Sequence, residues 1–389
     1  MKVLFVTNGD DKYGGCLCLK ELVLLLKQKY KVKCIILNTK CNAFNAWCDE
    51  NLIENYSVRY YPWMYDKTCN WLKYIVKYIV KFFLYHIVNF AALKKIERLF
   101  DFNSIDLIHT NTSVIDIGAK LASKYDCKHI WHIREFGRED FKLYPLKMNY
   151  IKYMNNHTDA FIAISDLIRN SWIDKGILNK KIITIYDGVN AGRYGNILTN
   201  SPKTDSDVLR IVFCGAISAP KGQIRLIEAI SLLSDEYKHL LKVDFIGGGK
   251  AEYINNLKKH ISAKHIENNF NFRGYITNVA EFLQHYDVGV VASMCEGFGR
   301  VTVEYMLSKL LVIASNSGAN VELIQDGKTG LLFDTKNNTA QALAEKIEWV
   351  INNREEAKKI SLNGRKHALG KFTIEANIGK IYDFYRRTL

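Results

Sequence analysis

The stretch Glu296-Gly-Phe-Gly-Arg-Val-Thr-Val-Glu304 decides the reading of this chain. It follows an apolar run, Val288-Gly-Val-Val-Ala-Ser293, read as a buried strand, and it opens a helix through about Lys309. The glycines on either side of Phe298 carry no Cβ, so the backbone there can approach a ligand closely. The helix start then presents unpaired N–H groups and a positive dipole end to an anion. Glu296 and Glu304 bracket that site, about 12 Å apart if all the intervening steps were helical. A carboxylate beside an anion site is tolerated when it accepts hydrogen bonds from hydroxyls. A nucleotide sugar offers this combination, with phosphates in the middle and hydroxyls on the ribose and the sugar. Taken singly, Gly-Phe-Gly before a helix is a common tight turn, and Glu304 reads as a surface residue.

Outward from this stretch, short apolar runs alternate with amphipathic helical stretches. Strands are expected at Val3–Val6, Val32–Leu37, Asp106–His109, His129–His132, Ala160–Ile164 and Ile182–Ile185. A second series is expected at Arg210–Cys214, Lys242–Ile246, Val288–Ala292 and Val312–Ala314. β-branched runs separated by helices predict an α/β fold with parallel sheets covered on both faces. The series breaks at residues 191–207, where Gly, Asn, Ser, Thr and Asp predict a linker. The expected domains are therefore residues 1–190 and 208–370, with a C-terminal helix over 371–389 packing back on the first. Ligands of such sheets bind beyond the carboxyl ends of the strands.

The 389 residues are 48% apolar and 24% charged, which supplies two ordinary soluble cores. The first apolar run, Val3–Val6, is shorter than a secretory signal requires. Nine cysteines without CxxC spacing indicate neither a disulfide framework nor a zinc site, and a reducing cytoplasm fits. No clustered metal-ligand set stands out, and neither a catalytic metal nor a cofactor is expected. The net charge of +14 favours anionic partners: nucleic acid, anionic lipid or phosphorylated ligands. No recognised nucleic-acid motif accompanies the charge, so nucleic acid is not an expected partner.

One segment, within residues 66–99, departs from the alternation. From Lys67 to Lys95 it holds six lysines and no acid, interleaved with aromatic residues. On a helix, Lys73, Lys77 and Lys81 form one stripe flanked by Tyr74, Tyr78 and Tyr85. Leu72, Ile75, Ile79, Phe82 and Phe83 fall on the far side. The uncharged run Phe82–Leu93 is too short to span a bilayer. The pattern suits the surface of an anionic membrane. A core-packed helix with a solvated lysine face fits it equally well.

Glu296–Glu304 resembles the E-x7-E signature of retaining glycosyltransferases of the GT-B fold, specifically glycosyltransferase family 4. Weaker matches follow in family order. Gly14-Gly15 resembles the glycine loop after the first strand, Asp106–His109 the D-h-h-H strand (h, hydrophobic), and Thr158–Ser165 the segment that follows. Ile185-Tyr-Asp-Gly-Val-Asn190, Phe213–Gly222, Phe245–Gly249, Phe272–Gly274 and Ser317–Glu322 also match. The resemblance implies two Rossmann-like domains facing a central cleft. It implies that Lys221 binds the donor diphosphate, helped by Gly14, Gly15, Gly215 and the backbone of Phe298, Gly299 and Arg300. Glu304 would take the ribose hydroxyls, Glu296 the transferred sugar, and His132 a place beside that sugar. The plain alternative for His132 is a satisfied core histidine.

Three positions depart from the family pattern. Ala216 stands where arginine is usual after the phosphate-loop glycine, Asp187 where asparagine is usual, and Ala319 replaces a glycine. Arg134, two residues after His132, is offered as a compensating cation, with a structural network through Glu135 as the rival. The expected activity is metal-independent, retaining transfer from a nucleoside-diphosphate sugar, with UDP favoured. The expected acceptor is a glycan, lipid-linked, in surface polysaccharide synthesis. The expected place is the cytoplasm, on the inner face of the plasma membrane. A nucleotide-sugar epimerase or a non-catalytic binding protein on the same fold are the alternatives.

Overall fold

The computed structural model describes residues 1–9, 14–40, 43–66, 71–195 and 208–389. Lys67 and linker residues 196–207 therefore lie outside the described residues. The chain divides into two compact units: Met1–Asp187 with Asn377–Leu389, and Gly188–Ala376.

The first unit contains β1 (Lys2–Thr7), β2 (Lys33–Asn38), β3 (Glu54–Ser57), β4 (Met64–Asp66), β5 (Leu107–Thr110), β6 (Lys128–Ile133), β7 (Leu143–Pro145), β8 (Ala160–Ala163) and β9 (Ile182–Thr184). Seven of these form a sheet in the order β3-β2-β1-β5-β6-β8-β9, with every neighbouring pair parallel. β4 and β7 pair antiparallel outside it. Side chains alternate across the pleat. Val3 and Phe5 accordingly join one core layer with Leu19, Leu22 and Leu26, while Leu4 and Val6 join another with Ile117 and Leu121. The C-terminal helix, Ile374–Thr388, adds Ile378, Ile381 and Tyr385 to the first of these layers.

The second unit contains β10 (Leu209–Cys214), β11 (Leu241–Ile246), β12 (Phe270–Gly274), β13 (Val288–Val291), β14 (Leu311–Ser315) and β15 (Leu331–Phe333). Their order is β12-β11-β10-β13-β14-β15, again parallel throughout. The order reverses direction between β10 and β13, and between β1 and β5 in the first unit. Such switch points open a crevice at the carboxyl ends of the strands.

Each expected strand is present within two residues. Those not expected are β3, β4, β7, β12 and β15. They are short or lie at sheet edges, and sequences such as ENYS and FNFRG carry too few apolar residues to register as runs.

The basic aromatic segment forms a helix over Trp71–Glu97, but its orientation differs from the expectation. The buried positions are Tyr85, Asn89, Ala92 and Ile96, at helical spacing. Lys77 and Lys81 lie half-buried on the packed side, with the Lys81 ammonium 5.9 Å from the Tyr65 ring centre. Tyr85 bonds Asp116, and Asn89 exchanges two hydrogen bonds with the Tyr61 backbone. These polar groups turn inward because the protein satisfies them there. The exposed face carries Ile75, Val76, Ile79, Val80, Phe83, Ile87 and Phe90. Counted with its lysines, Ile75–Glu97 is long and apolar enough to cross a membrane by length and composition.

A buried histidine makes the stability of the first unit depend on pH. His129 lies between the Thr110 hydroxyl, 2.8 Å from Nε2, and the Thr158 hydroxyl, 3.1 Å from Nδ1. Burial pushes its pKa down to about 3. The unfolded chain therefore takes up a proton near pH 6.5 that the native state refuses. The stabilisation is present above that pH and is lost as pH falls, by about 1.4 kcal/mol per unit. Urea unfolding between pH 7.5 and 5 should show this slope, and His129→Gln should make it shallower.

Candidate active site

In the second unit the residues expected from sequence converge at the carboxyl ends of β10 and β13. After β10 the chain passes Gly215, at φ +134°, and reaches a short 3-10 turn, Ala219–Lys221. Gly222 ends the turn at φ +82°. A Cβ on Gly222 would lie 2.4 Å from the Ala292 carbonyl oxygen at the end of β13. Only glycine permits that approach, and it sets Lys221 beside the loop after β13. The Lys221 ammonium donates to Glu296 Oε1 at 2.6 Å, and the Ser293 hydroxyl donates to the same oxygen at 2.5 Å.

Gly299, at φ +82°, starts the helix Arg300–Leu307. Arg300 Nε donates to Glu304 Oε1 at 2.9 Å, one turn along the same helix, and its Nη1 reaches the Gly188 carbonyl at 3.5 Å. Phe298 is buried, with its ring centre 6.4 Å from that of Phe372.

Several supporting contacts join segments that no sequence pattern brings together. Tyr305 is fully buried, and its hydroxyl accepts the Cys214 N–H at 2.6 Å, which ties the end of β10 to the signature helix. Gly289 makes room for the Tyr305 ring, since a Cβ there would lie 2.2 Å from it. Thr302 donates to Asn320, whose amide donates to Ser315. The Ala319 N–H donates to the Glu296 carbonyl at 2.9 Å. Gly318, at φ +58°, lies so close that a Cβ would stand 2.5 Å from the Glu296 nitrogen. A hydrophobic pattern reports burial and period, whereas these contacts join segments distant in sequence.

In the first unit, Gly14 and Gly15 begin the helix Gly14–Tyr30, which follows β1. His132 lies near the end of β6 and is buried. Burial, reinforced by the nearby Arg134 charge, holds its pKa well below the ordinary value, so the imidazole is neutral. Arg134 does not stand free as a compensating cation. Its Nη1 pairs with Asp187, in a bridge whose side chains are 8% and 10% exposed, and its Nε donates to Asn111 at 3.0 Å. The aspartate that departs from the family pattern is thus the counter-ion of this arginine. Glu135 anchors the loop after β5, accepting from the Thr112 hydroxyl and from both the amide and hydroxyl of Ser113.

In the second of the two parallel-sheet α/β units, a lysine, two carboxylates and a helix start thus lie at one switch point. The family model for Glycosyltransferase Family 4 matches residues 25–193, and that for Glycosyl transferases group 1 matches residues 197–367. The chain is 32% identical to an uncharacterised glycosyltransferase of Methanocaldococcus jannaschii, over 75% of this chain and 79% of that one. It is 26% identical to the poly(ribitol-phosphate) alpha-N-acetylglucosaminyltransferase of Staphylococcus aureus, over 67% of this chain and 50% of that one. HepE of Anabaena, solved in complex with UDP, superposes with a TM-score of 0.81 at 20% identity, each chain covered in full. The protein belongs to the group 1 glycosyltransferases of family 4.

The Gly318 contact supplies a test of the site. Gly318→Ala combines a left-handed backbone with a clash against the Glu296 loop, and should cost about 1–3 kcal/mol of stability. Urea unfolding measures that loss. Calorimetry should show weakened nucleotide binding in the same variant, because the loop that carries Glu296 must move.

Proposed function

We propose that this glycosyltransferase moves a sugar, with retention of configuration, from a UDP-sugar to a glycan acceptor in polysaccharide synthesis. The observation that carries the reading is the contact of Lys221 and Glu296 beside the start of the Arg300–Leu307 helix. The leaving diphosphate gains negative charge as the anomeric bond breaks. Lys221 and the helix N-terminus offset that charge without a metal ion. Both contacts of Glu296 fall on Oε1, which leaves Oε2 to accept from a hydroxyl of the transferred sugar. Glu304, oriented by Arg300, accepts from the ribose hydroxyls. A donor phosphate oxygen takes the acceptor's proton in a front-face attack. The UDP bound by HepE, and the polymer acceptor in the name of the Staphylococcus aureus relative, support the choice of donor and acceptor classes.

A thermal-shift screen against UDP-, GDP- and ADP-sugars tests the donor, since a bound ligand stabilises by mass action. Glu304→Gln should weaken UDP and UDP-sugar binding alike, by about 1.5–3 kcal/mol in calorimetry. Lys221→Ala should lower turnover far more than it lowers sugar-independent binding. Unchanged nucleotide affinity in Glu304→Gln would remove that residue from the donor site. Conversion of the donor with no acceptor present would favour the epimerase instead.

The acceptor is proposed to be lipid-linked, with the helix Trp71–Glu97 lying in the surface of an anionic membrane. The outward face of Ile75, Val76, Ile79, Val80, Phe83, Ile87 and Phe90 supports this, as does the absence of acidic residues from Lys67 to Lys95. Phe83→Asp with Ile87→Asp should reduce co-sedimentation with anionic liposomes on the order of 100-fold, because two apolar side chains no longer leave water. Lys77→Gln with Lys81→Gln should have the smaller effect, since both lysines lie on the packed side. Equal sedimentation of all forms would leave this face without a lipid partner.

A further inference from the structure

Three aromatic side chains from three elements of the first unit form a hydrogen-bonded chain that ends on a nitrogen without a partner among the described residues. Tyr385 lies on the C-terminal helix, His109 on β5 and His132 on β6. His109 pairs with Ile130 in the sheet register, so His132, two residues further on, is its diagonal neighbour on the same face. The Tyr385 hydroxyl lies 2.6 Å from His109 Nδ1. His109 Nε2 lies 3.2 Å from His132 Nδ1. His132 Nε2 is buried and bonds to no other group among the described residues.

Hydrogen-bond satisfaction gives this chain a direction. Tyr385 is fully buried, and His109 Nδ1 is the acceptor its hydroxyl has. A phenol proton placed anywhere else would be buried without a partner, which is costly. If Nδ1 of His109 accepts, its Nε2 must carry the ring proton and donate to His132 Nδ1. Arg134 Nη2, which can only donate, approaches the same His132 Nδ1 at 3.5 Å. Two donors therefore converge on Nδ1, and the proton of His132 resides on Nε2. Burial holds both imidazoles well below their ordinary pKa, so neither takes a second proton near neutral pH.

We propose that Tyr385, acting through His109, is a positioning residue that fixes His132 as an Nε2–H donor, whose free N–H bonds an oxygen of the sugar substrate. The proposal rests on the transferase reading above for the identity of that oxygen. It assigns His132 a single role. A ring locked in this tautomer donates and cannot serve as a general base. The C-terminal helix, which supplies Tyr385, thereby takes part in preparing the site as well as in packing the core.

The test uses the full-length chain labelled with 15N at histidine, and Tyr385→Phe, which keeps the ring and removes the hydroxyl. Long-range proton–nitrogen correlation distinguishes the two tautomers directly, and the His132 signals are those lost in His132→Gln. In the wild type, His132 should show a pyrrole-like Nε2 and a pyridine-like Nδ1. In Tyr385→Phe the pattern should move toward a mixture of tautomers. Turnover should fall about five-fold, with the donor KM and UDP affinity close to wild type. A wild-type His132 protonated at Nδ1, or doubly protonated, overturns the proposal. So does a Tyr385→Phe variant that keeps the wild-type pattern, or one whose pattern changes while turnover does not. The nitrogen shifts are read without substrate. A wild-type chain that transfers no sugar would therefore sink the transferase reading and leave the tautomer result to decide the relay.

Discussion

The backbone approach of Gly222 to the end of β13 is the constraint on which the second unit's site depends. β10 and β13 are neighbours at the point where the strand order reverses, so the loops that leave them emerge side by side. Without a Cβ at Gly222, the first loop can lie against the Ala292 carbonyl, and Lys221 then meets Glu296. The Tyr305 hydroxyl holds the Cys214 amide from behind. The Ala319 amide and Gly318 hold the Glu296 backbone from the far side. The cation and the carboxylate are thus placed by glycine clearances and backbone hydrogen bonds more than by their own attraction. A partly exposed ion pair contributes little to stability by itself, and a site placed in this way can exchange its internal ion pair for contacts with a charged ligand.

The first unit handles its buried polar groups differently. His109, His129, His132, the Arg134–Asp187 pair and Glu135 are all withdrawn from water. Burying charge is tolerated only where partners replace the solvent. Arg134 finds Asp187 and Asn111, and Glu135 finds Thr112 and Ser113. Against this satisfied background, the unpartnered nitrogen of His132 is conspicuous. Asp116 Oδ1 and the Tyr153 hydroxyl are the other buried side-chain atoms without a partner among the described residues, and of the three only the His132 nitrogen ends a chain of hydrogen-bonded rings.

The helix Trp71–Glu97 shows how a polar pattern can mislead. Lysines and tyrosines suggested an outward face. Tyr85 and Asn89 instead turn inward, because Asp116 and the Tyr61 backbone satisfy them there. Once those two residues are fixed, helical geometry leaves Val76, Phe83, Ile87 and Phe90 facing outward. The orientation of the helix is set by its few satisfied polar contacts, and its apolar majority follows.

The sequence by itself determined the fold class, since β-branched runs at strand length between amphipathic helices have few other solutions. Its resemblance to the family singled out Lys221, Glu296, Glu304 and His132 as candidates. Composition and local period were enough for the fold class alone. The tertiary structure alone decided which of these groups meet. Arg134 pairs with Asp187, Arg300 turns onto Glu304, and Tyr385 reaches His109 across 276 positions of sequence. Periodicity records how each residue relates to its own element. Such contacts depend on register and sheet order, which are fixed only when the whole unit packs.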